Sequence, residues 1–376
     1  MPHLAVVLSP DAGEAPAAAL VPEVLALAAR WPGRVSVVWH RPGAEELRDA
    51  ALPGLADRGV DTVAGEALSA VERLGADAVR IPLDPRLTRL AHRLPTVVVA
   101  DSTPVQRLRY SESSRSRALP GSVPRAAHQL WAARTVLAAA DGLQCNGWGA
   151  WATYHEHAQL KHRVPPLLYF DSMLTAEEVT RATSRPRPGG PPEGRLRMVF
   201  AGRLHPADGP QHAVAASRTL DRWGVDHELV VHGAGPLEER LRAAAGPRVT
   251  FAGAVRPETG RMAPVAAGAD LAVLPYLHTH PTGLELELAG LGVPVVGFRS
   301  ATLEGHRRFG GFTVTTLPRS TYALAVAVRR LAADPARREA LAARGISFMS
   351  RHHAEGRRDA QVEHLLRATS PVRSHR

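Results

Sequence analysis

The chain has 376 residues, 45% of them hydrophobic and 22% charged; this excludes wholesale disorder and suits two packed domains better than one. The formal net charge is +10 but is spread out, with no zinc-finger spacing, aromatic RNA-binding motif or run of basic residues, so no nucleic-acid partner is expected. No apolar stretch is long enough to span a bilayer, and Cys145, the only cysteine, excludes a disulfide framework or a cysteine metal centre.

Lys161 is the only lysine among 46 basic residues, a bias that a GC-rich coding sequence produces. The diffuse positive field suits an anionic substrate or an anionic membrane surface. The opening run His3–Leu8 lacks a basic flank and is too short for a signal segment, so it reads as a buried strand in a cytoplasmic protein.

Along the first half, Ala5–Leu8, Val35–Trp39, Ala78–Ile81 and Thr96–Ala100 read as buried strands. Leu20–Ala29, Glu45–Leu55, Ala67–Leu74 and Ala126–Ala140 read as helices. Strands alternating with helices imply βαβ units and a parallel sheet, hence an α/β fold. Asp101 and Ser102 follow the strand Thr96–Ala100, where an α/β sheet places ligands. Asp101 reads either as a cleft residue facing a ligand or as an Asx turn or N-cap before Thr103-Pro104. Asn146, in Asn146-Gly-Trp148, reads as a cleft residue or a simple turn. Trp148, Trp151, Tyr154 and His155 form a helical apolar face, and His155, Glu156, His157 and His162 read as a solvated helix rather than a metal site.

The proline- and glycine-rich stretch Arg181–Arg195 can neither continue a helix nor pair inside a sheet. It divides a domain over 1–180 from one over 196–345. Beyond it, strands are expected at Arg197–Phe200, His227–Val231, Val249–Phe251, Leu271–Leu274 and Val293–Phe298, and helices at Pro210–Trp223, Leu237–Ala244 and Thr282–Leu291. Tyr322–Arg367 is helical almost throughout.

His278–Phe298 carries the strongest chemical signal. Thr282 and Glu285 have capping-box spacing, and Leu284, Leu288 and Leu291 share a face. A helix entered through Pro281, Thr282 and Gly283 offers the amides of Gly283 and Leu284 to a phosphate. From spacing alone, Glu285 reads as a cap and Glu287 as a solvated residue.

Four further elements follow strands in the same half: Ala201-Gly-Arg-Leu204; His232-Gly-Ala-Gly-Pro-Leu237; Arg248-Val-Thr-Phe-Ala-Gly-Ala-Val255; and Ala269-Asp-Leu-Ala-Val-Leu-Pro275. Their order, closed by Glu287 and the Gly292–Val296 segment, resembles the retaining family 4 glycosyltransferases (glycosyl transferases group 1) over about Arg197–Phe298. Asp101–Pro104 and Leu167–Asp171 resemble elements of some members.

That resemblance implies a GT-B fold, two Rossmann-like domains facing across a cleft, with a donor site in the C-terminal domain and an acceptor site in the N-terminal one. It also implies that a final helix, about 346–367, packs back on the N-terminal domain; Phe348, Val362, Leu365 and Leu366 supply its apolar positions. In such a site Arg203 binds the donor diphosphate beside Gly202 and Gly233. The backbone of Gly253–Arg256, Val255 included, holds the base, and Glu287 binds the ribose. Thr282, Gly283 and Leu284 complete the phosphate cradle.

Two positions depart from the family pattern. Thr279 stands where the first of its paired glutamates falls, and Asp208 where a diphosphate-binding lysine falls. Thr279 and His280 remain able to donate hydrogen bonds to the donor. Against the anion at Asp208, the expected remedies are His205, an N-terminal-domain arginine, or Asp208 turning away to cap the next helix.

The implied reaction is transfer of a sugar from a nucleotide diphosphate-sugar to a small acceptor with retention. Its expected catalytic residues are Asp101, Arg203 and Thr279, and Asp101, Ser102 and Asn146 are the acceptor contacts. With no Asp-x-Asp motif, no cofactor and no obligate metal are expected. A modified donor sugar and a specialised-metabolite acceptor fit the departures. Two other functions fit the same residues. One is a degenerate, non-catalytic nucleotide-binding partner. The other is a peripheral-membrane enzyme with a lipid acceptor, using Arg107, Arg109, Arg115, Arg117 and Arg125.

Overall fold

A computed structural model describes residues 1–8, 17–40, 48–49, 54–103, 122–162, 164–184, 195–255, 262–278, 282–317 and 319–370. Two parallel sheets dominate it. The first contains β1 (His3–Leu8), β2 (Arg34–His40), β3 (Arg48–Asp49), β4 (Asp61–Gly65), β5 (Ala78–Pro82), β6 (Thr96–Ala100), β7 (Gly142–Asn146) and β8 (Leu167–Tyr169). Their order is β3-β4-β2-β1-β5-β6-β7-β8, parallel except for β3 against β4. The second contains β9 (Leu196–Ala201), β10 (His227–His232), β11 (Val249–Gly253), β12 (Leu271–Val273), β13 (Val295–Phe298) and β14 (Thr313–Thr316), ordered β11-β10-β9-β12-β13-β14.

The inner strands are largely apolar because both faces of each sheet are covered by helices. Along β1, Ala5 and Val7 join one cluster with α2 (Ala67–Leu74), α4 (Ser122–Ala139) and α5 (Gly147–Gln159). Leu4 and Val6 face the other way, toward Leu27 and Trp31 beside α1 (Ala17–Ala28) and toward Val362, Leu365 and Ala368. Those last three belong to the terminal helix α14 (Ala354–Thr369), which lies on β6, β7 and β8 of the first sheet. Helix α3 (Thr88–Arg93) lies against α4, and α6 (Ala176–Ser184) leads toward the second sheet.

In the second half, α7 (Pro210–Arg222) and α8 (Glu238–Ala244) follow β9 and β10, and the short α9 (Ala263–Ala266) precedes β12. Helix α10 (Leu284–Gly290) precedes β13, then come α11 (Ala301–Phe309), α12 (Thr321–Ala332) and α13 (Pro335–Met349).

Several expectations need correction. The helix expected over Glu45–Leu55 is replaced, at its described positions, by strand β3 and by a turn at Gly54 and Leu55; pairing with β4 outweighs local propensity. Arg181–Ser184 of the expected linker is helical, because α6 is anchored by buried Val179 and an Arg181–Glu177 ion pair one turn apart. Positions 185–194 lie outside the described residues. The boundary drawn at 345 falls inside α13, which starts at the Asp334 cap with Pro335 and buries Phe348 and Met349 in its last turn.

The two halves meet along a seam. Helix α11 lies on α5, where a Cβ added at Gly305 would stand 2.5 Å from Trp148 Cβ. The Arg308 guanidinium lies 4.7 Å from the Trp148 ring centroid. Phe170 packs edge-on to Phe348 at 5.1 Å and meets His306 at 5.9 Å, and His306 stacks on Phe312 at 5.5 Å. Burial among these rings pushes the His306 imidazole down to about 3.

Candidate functional site

The loops after β9, β10 and β11 are hydrogen-bonded side by side. Gly202 N donates to His232 O at 3.1 Å, Gly233 N to Gly253 O at 2.8 Å, and Leu204 N to Ala234 O at 2.9 Å. The approach at Gly233 excludes a side chain: φ is 154° and an added Cβ would stand 1.9 Å from Gly202 O. This flattens the rim at the C-terminal ends of the central strands, where an open α/β sheet binds ligands.

Arg203 rises from that rim with its side chain 55% exposed. Asp208 is buried and grips it. One carboxylate oxygen accepts from Arg203 N at 3.0 Å and Nε at 3.3 Å, and the other accepts from Nη2 at 3.0 Å. Asp208 thus turns back onto Arg203 and leaves the helix behind it uncapped; Gly209 occupies the N-cap of α7. His205 is the cap residue of the Pro206–Asp208 turn, its Nδ1 accepting from Ala207 N at 3.2 Å. Of the three expected remedies for the Asp208 charge, the capping of the following helix is the one overturned, because the carboxylate is spent on Arg203. His278 lies under the pair, with Nε2 3.7 Å from Asp208 and its ring stacked 5.0 Å from Tyr276.

The expected capping box shifts by one residue. Gly283, at φ 77°, is the N-cap of α10, and Thr282 Oγ1 donates to Glu285 Oε2 at 2.6 Å. No residue of the helix from Glu285 to Gly290 is solvated, since α10 is enclosed between the second sheet's core and α13. Burial raises the Glu285 pKa against the Thr282 hydrogen bond. Glu287, which spacing alone gives as solvated, is 2% exposed. A Cβ added at Gly283 would stand 3.8 Å from Glu287 Oε1 and 3.0 Å from Asp171 O, so the start of this helix touches the chain leaving the first sheet. Arg256, Thr279 and His280 lie outside the described residues, as do Arg107, Arg109, Arg115 and Arg117.

Across the cleft, a cavity of about 240 Å³ opens at the C-terminal ends of the first sheet's strands, and Asp101 and Asn146 line it. Asp101 accepts from Tyr169 OH at 3.2 Å. Asn146 is more than a turn residue: it is buried at the start of α5 and its Oδ1 accepts from Asp171 N at 3.2 Å. Ser102, next to Asp101 in sequence, is buried.

Glu23, Arg80 and Asp171 also line this cavity; sequence reasoning missed Glu23 and Arg80 and named the Leu167–Asp171 element without a role for Asp171. Arg80 was detectable as a charge inside the apolar run Ala78–Ile81. Its Nη2 lies 3.3 Å from Glu23. Arg357, reaching in from α14, lies 3.1 Å from Asp171 and 3.9 Å from Glu23. Desolvation, with Glu23 and Asp101 nearby, pushes the Asp171 carboxyl up to about 6 against the pull of Arg357. Glu23 is driven the other way: burial would raise it, but Arg80 and Arg357 together bring it below the usual range.

Residues 195–334 match the family of glycosyl transferases group 1. The whole chain has the fold of solved GT-B enzymes. Sucrose-phosphate synthase from Thermosynechococcus elongatus is 16% identical with a TM-score of 0.65, covering 98% of each chain. HepE of Anabaena in complex with UDP is 16% identical with a TM-score of 0.66, covering 97% of this chain and 99% of that one. The fold is therefore GT-B, and its second domain resembles glycosyl transferases group 1. A curated relative, the GDP-mannose-dependent alpha-(1-6)-phosphatidylinositol dimannoside mannosyltransferase of Mycobacterium tuberculosis, is 33% identical over 110 residues. That match spans 29% of this chain and 29% of the relative. Among the described residues, no helix is long and apolar enough to cross a membrane, and no group of three or more His, Cys, Asp or Glu could hold a metal ion.

Proposed function

We propose that the protein is a cytoplasmic glycosyltransferase that moves a sugar from a nucleotide diphosphate-sugar to a small acceptor with retention at the anomeric carbon. The observation that carries this is that Arg203 and the glycine rim of Gly202, Gly233 and Gly253 follow the C-terminal ends of β9, β10 and β11, and the buried Glu287 lies in the first turn of the helix that follows β12 of the same parallel sheet. The match to glycosyl transferases group 1 spans the same domain.

In this reading the leaving diphosphate is met by Arg203 and the amides of Gly283 and Leu284. The sugar, gaining oxocarbenium character, lies between that rim and Asp101. Fixed donors aimed at the leaving charge, and two substrates held in line, supply most of the acceleration. Asp101, Ser102 and Asn146 belong to the acceptor side. With Thr279 in place of a family glutamate, the donor sugar is one whose hydroxyl pattern differs from a plain hexose, since a threonine hydroxyl offers fewer acceptor sites than a carboxylate.

The test has two stages. Nucleoside diphosphates are screened by thermal shift, because ligands that bind only the folded state raise its melting temperature. A donor panel is then run with product stereochemistry read by NMR. Inversion would discard the retaining mechanism. Absence of both transfer and donor hydrolysis would favour a non-catalytic nucleotide-binding role. A second reading draws on the mycobacterial relative, named as a phosphatidylinositol dimannoside mannosyltransferase: the acceptor here is a lipid. Co-flotation with anionic vesicles, together with transfer to a lipid acceptor, would support it over the soluble acceptor.

A further inference from the structure

Asp208 is hard to reconcile with a bound diphosphate if it is only a nearby anion. Its side chain is 5% exposed, yet it carries the position where the family resemblance places a lysine. The geometry supplies the carboxylate with a different task. It takes the main-chain amide, Nε and Nη2 of one residue, Arg203, at 3.0, 3.3 and 3.0 Å. From beneath, a Cβ added at Gly202 would stand 3.5 Å from the same carboxylate, and His278 Nε2 lies 3.7 Å away. The grip thus fixes both the backbone at the strand end and the plane of the guanidinium.

We propose that Asp208 is a positioning residue of the donor site, orienting Arg203 for the donor's phosphates instead of touching them itself. The inference rests on the donor-site reading above. A half-exposed arginine otherwise samples many rotamers, and ordering it on binding costs affinity. A planar fork held at one edge by a carboxylate presents its remaining edge in a fixed direction, which a lysine cannot do. The two views of Asp208 predict opposite signs. As an adverse anion, its neutralisation tightens phosphate binding; as a positioning residue, its neutralisation loosens it.

The experiment measures calorimetric Kd values of UDP, GDP, uridine and guanosine for the wild type, Asp208→Asn, Asp208→Glu, Arg203→Ala and the double variant R203A/D208N. Melting temperatures are recorded alongside. Asp208→Asn should weaken the better-bound diphosphate about tenfold, the scale of one charge-assisted hydrogen bond, and leave the matching nucleoside unchanged. Asp208→Glu should recover part of the loss, and the double variant should bind no worse than Arg203→Ala alone. Should Asp208→Asn fail to fold, Arg203→Lys keeps the charge but cannot be held as a fork, and should lose diphosphate affinity by a similar factor. Tighter diphosphate binding by Asp208→Asn, additive losses in the double variant, or full affinity in Arg203→Lys would overturn the proposal. A wild type that binds neither diphosphate would overturn the proposed function itself, and this inference with it.

Discussion

Truncating Arg203 removes its guanidinium from the glycine rim and leaves the buried Asp208 carboxylate without the Nε and Nη2 donors that neutralise it. Two effects follow and they separate cleanly. The domain loses stability because a buried charge is left uncompensated. Diphosphate binding weakens by roughly 1.5–3 kcal/mol, or about 10- to 150-fold, while nucleoside binding is spared. Calorimetry with the two ligand classes checks this, and equal losses for both would remove Arg203 from the phosphate site. At Glu287 the expectation concerns the ribose. Glu287→Gln should erase the preference for a ribonucleotide over its 2′,3′-dideoxy analogue, because an amide accepts fewer hydroxyl hydrogen bonds than a carboxylate. The same preference in wild type and variant would leave Glu287 a purely structural buried acid.

At the scale of elements, the seam between α11, α13 and the chain after β8 is aromatic, with His306 sealed inside it. Burial holds His306 far below an ordinary histidine, at about 3. A histidine depressed in the folded state binds its proton more tightly once unfolded. Its contribution is therefore intact above about pH 6.5 and is lost as pH falls from there toward 3. The slope is roughly 1.4 kcal/mol per pH unit across that window. Chemical denaturation from pH 7 to 4 should show stability falling less steeply in His306→Leu than in wild type. Identical slopes would mean that the imidazole titrates freely and the seam is open to water. The helix α10 teaches a related point. Its sequence LELELAG puts Leu284 and Leu288 on one face with Glu285 and Glu287 on either flank of it, yet both acids are buried between the second sheet's core and α13. An amphipathic pattern identifies the helix but cannot tell a solvated acid from one placed in a site.

For the whole molecule, helix α14 covers one face of the first sheet. Leu365 is fully buried with Leu4, Val6, Leu27, Trp31, Val35, Ala78 and Val97. Leu365→Ala should cost about 2–5 kcal/mol, as cavity-forming substitutions in packed cores do. The loss should surface far away in sequence. Amide exchange would speed up in β1, β5 and β6 while β9, β10 and β12 keep their protection. Faster exchange confined to the second sheet would show that α14 supports the other domain.

The sequence by itself determined the elements whose burial is encoded locally. Ala67–Leu74 and Thr96–Ala100 emerge with the bounds their patterns predict, because an amphipathic period and an all-apolar run are each set by neighbouring residues. The order of glycine-bearing strand ends after β9, β10 and β11, and Arg203 among them, was legible for the same reason: a tight turn and a strand end are short-range features. Strands β3, β4, β7, β8 and β14 were not legible, since β4 begins with polar residues, Gly142 and Gln144 interrupt β7, and the short edge strands β3, β8 and β14 owe their state to a pairing partner. Only the tertiary structure decided the charges of the site. Asp208 turns onto Arg203, Arg357 crosses from the last helix to Asp171, and Arg80 pairs with Glu23. In each case the meaning of a charge lies in which opposite charge it meets and how much water is removed around the pair; for Arg357 and Arg80 the partner comes from a segment far away in sequence, and for Asp208 a local partner becomes decisive only because packing buries the carboxylate.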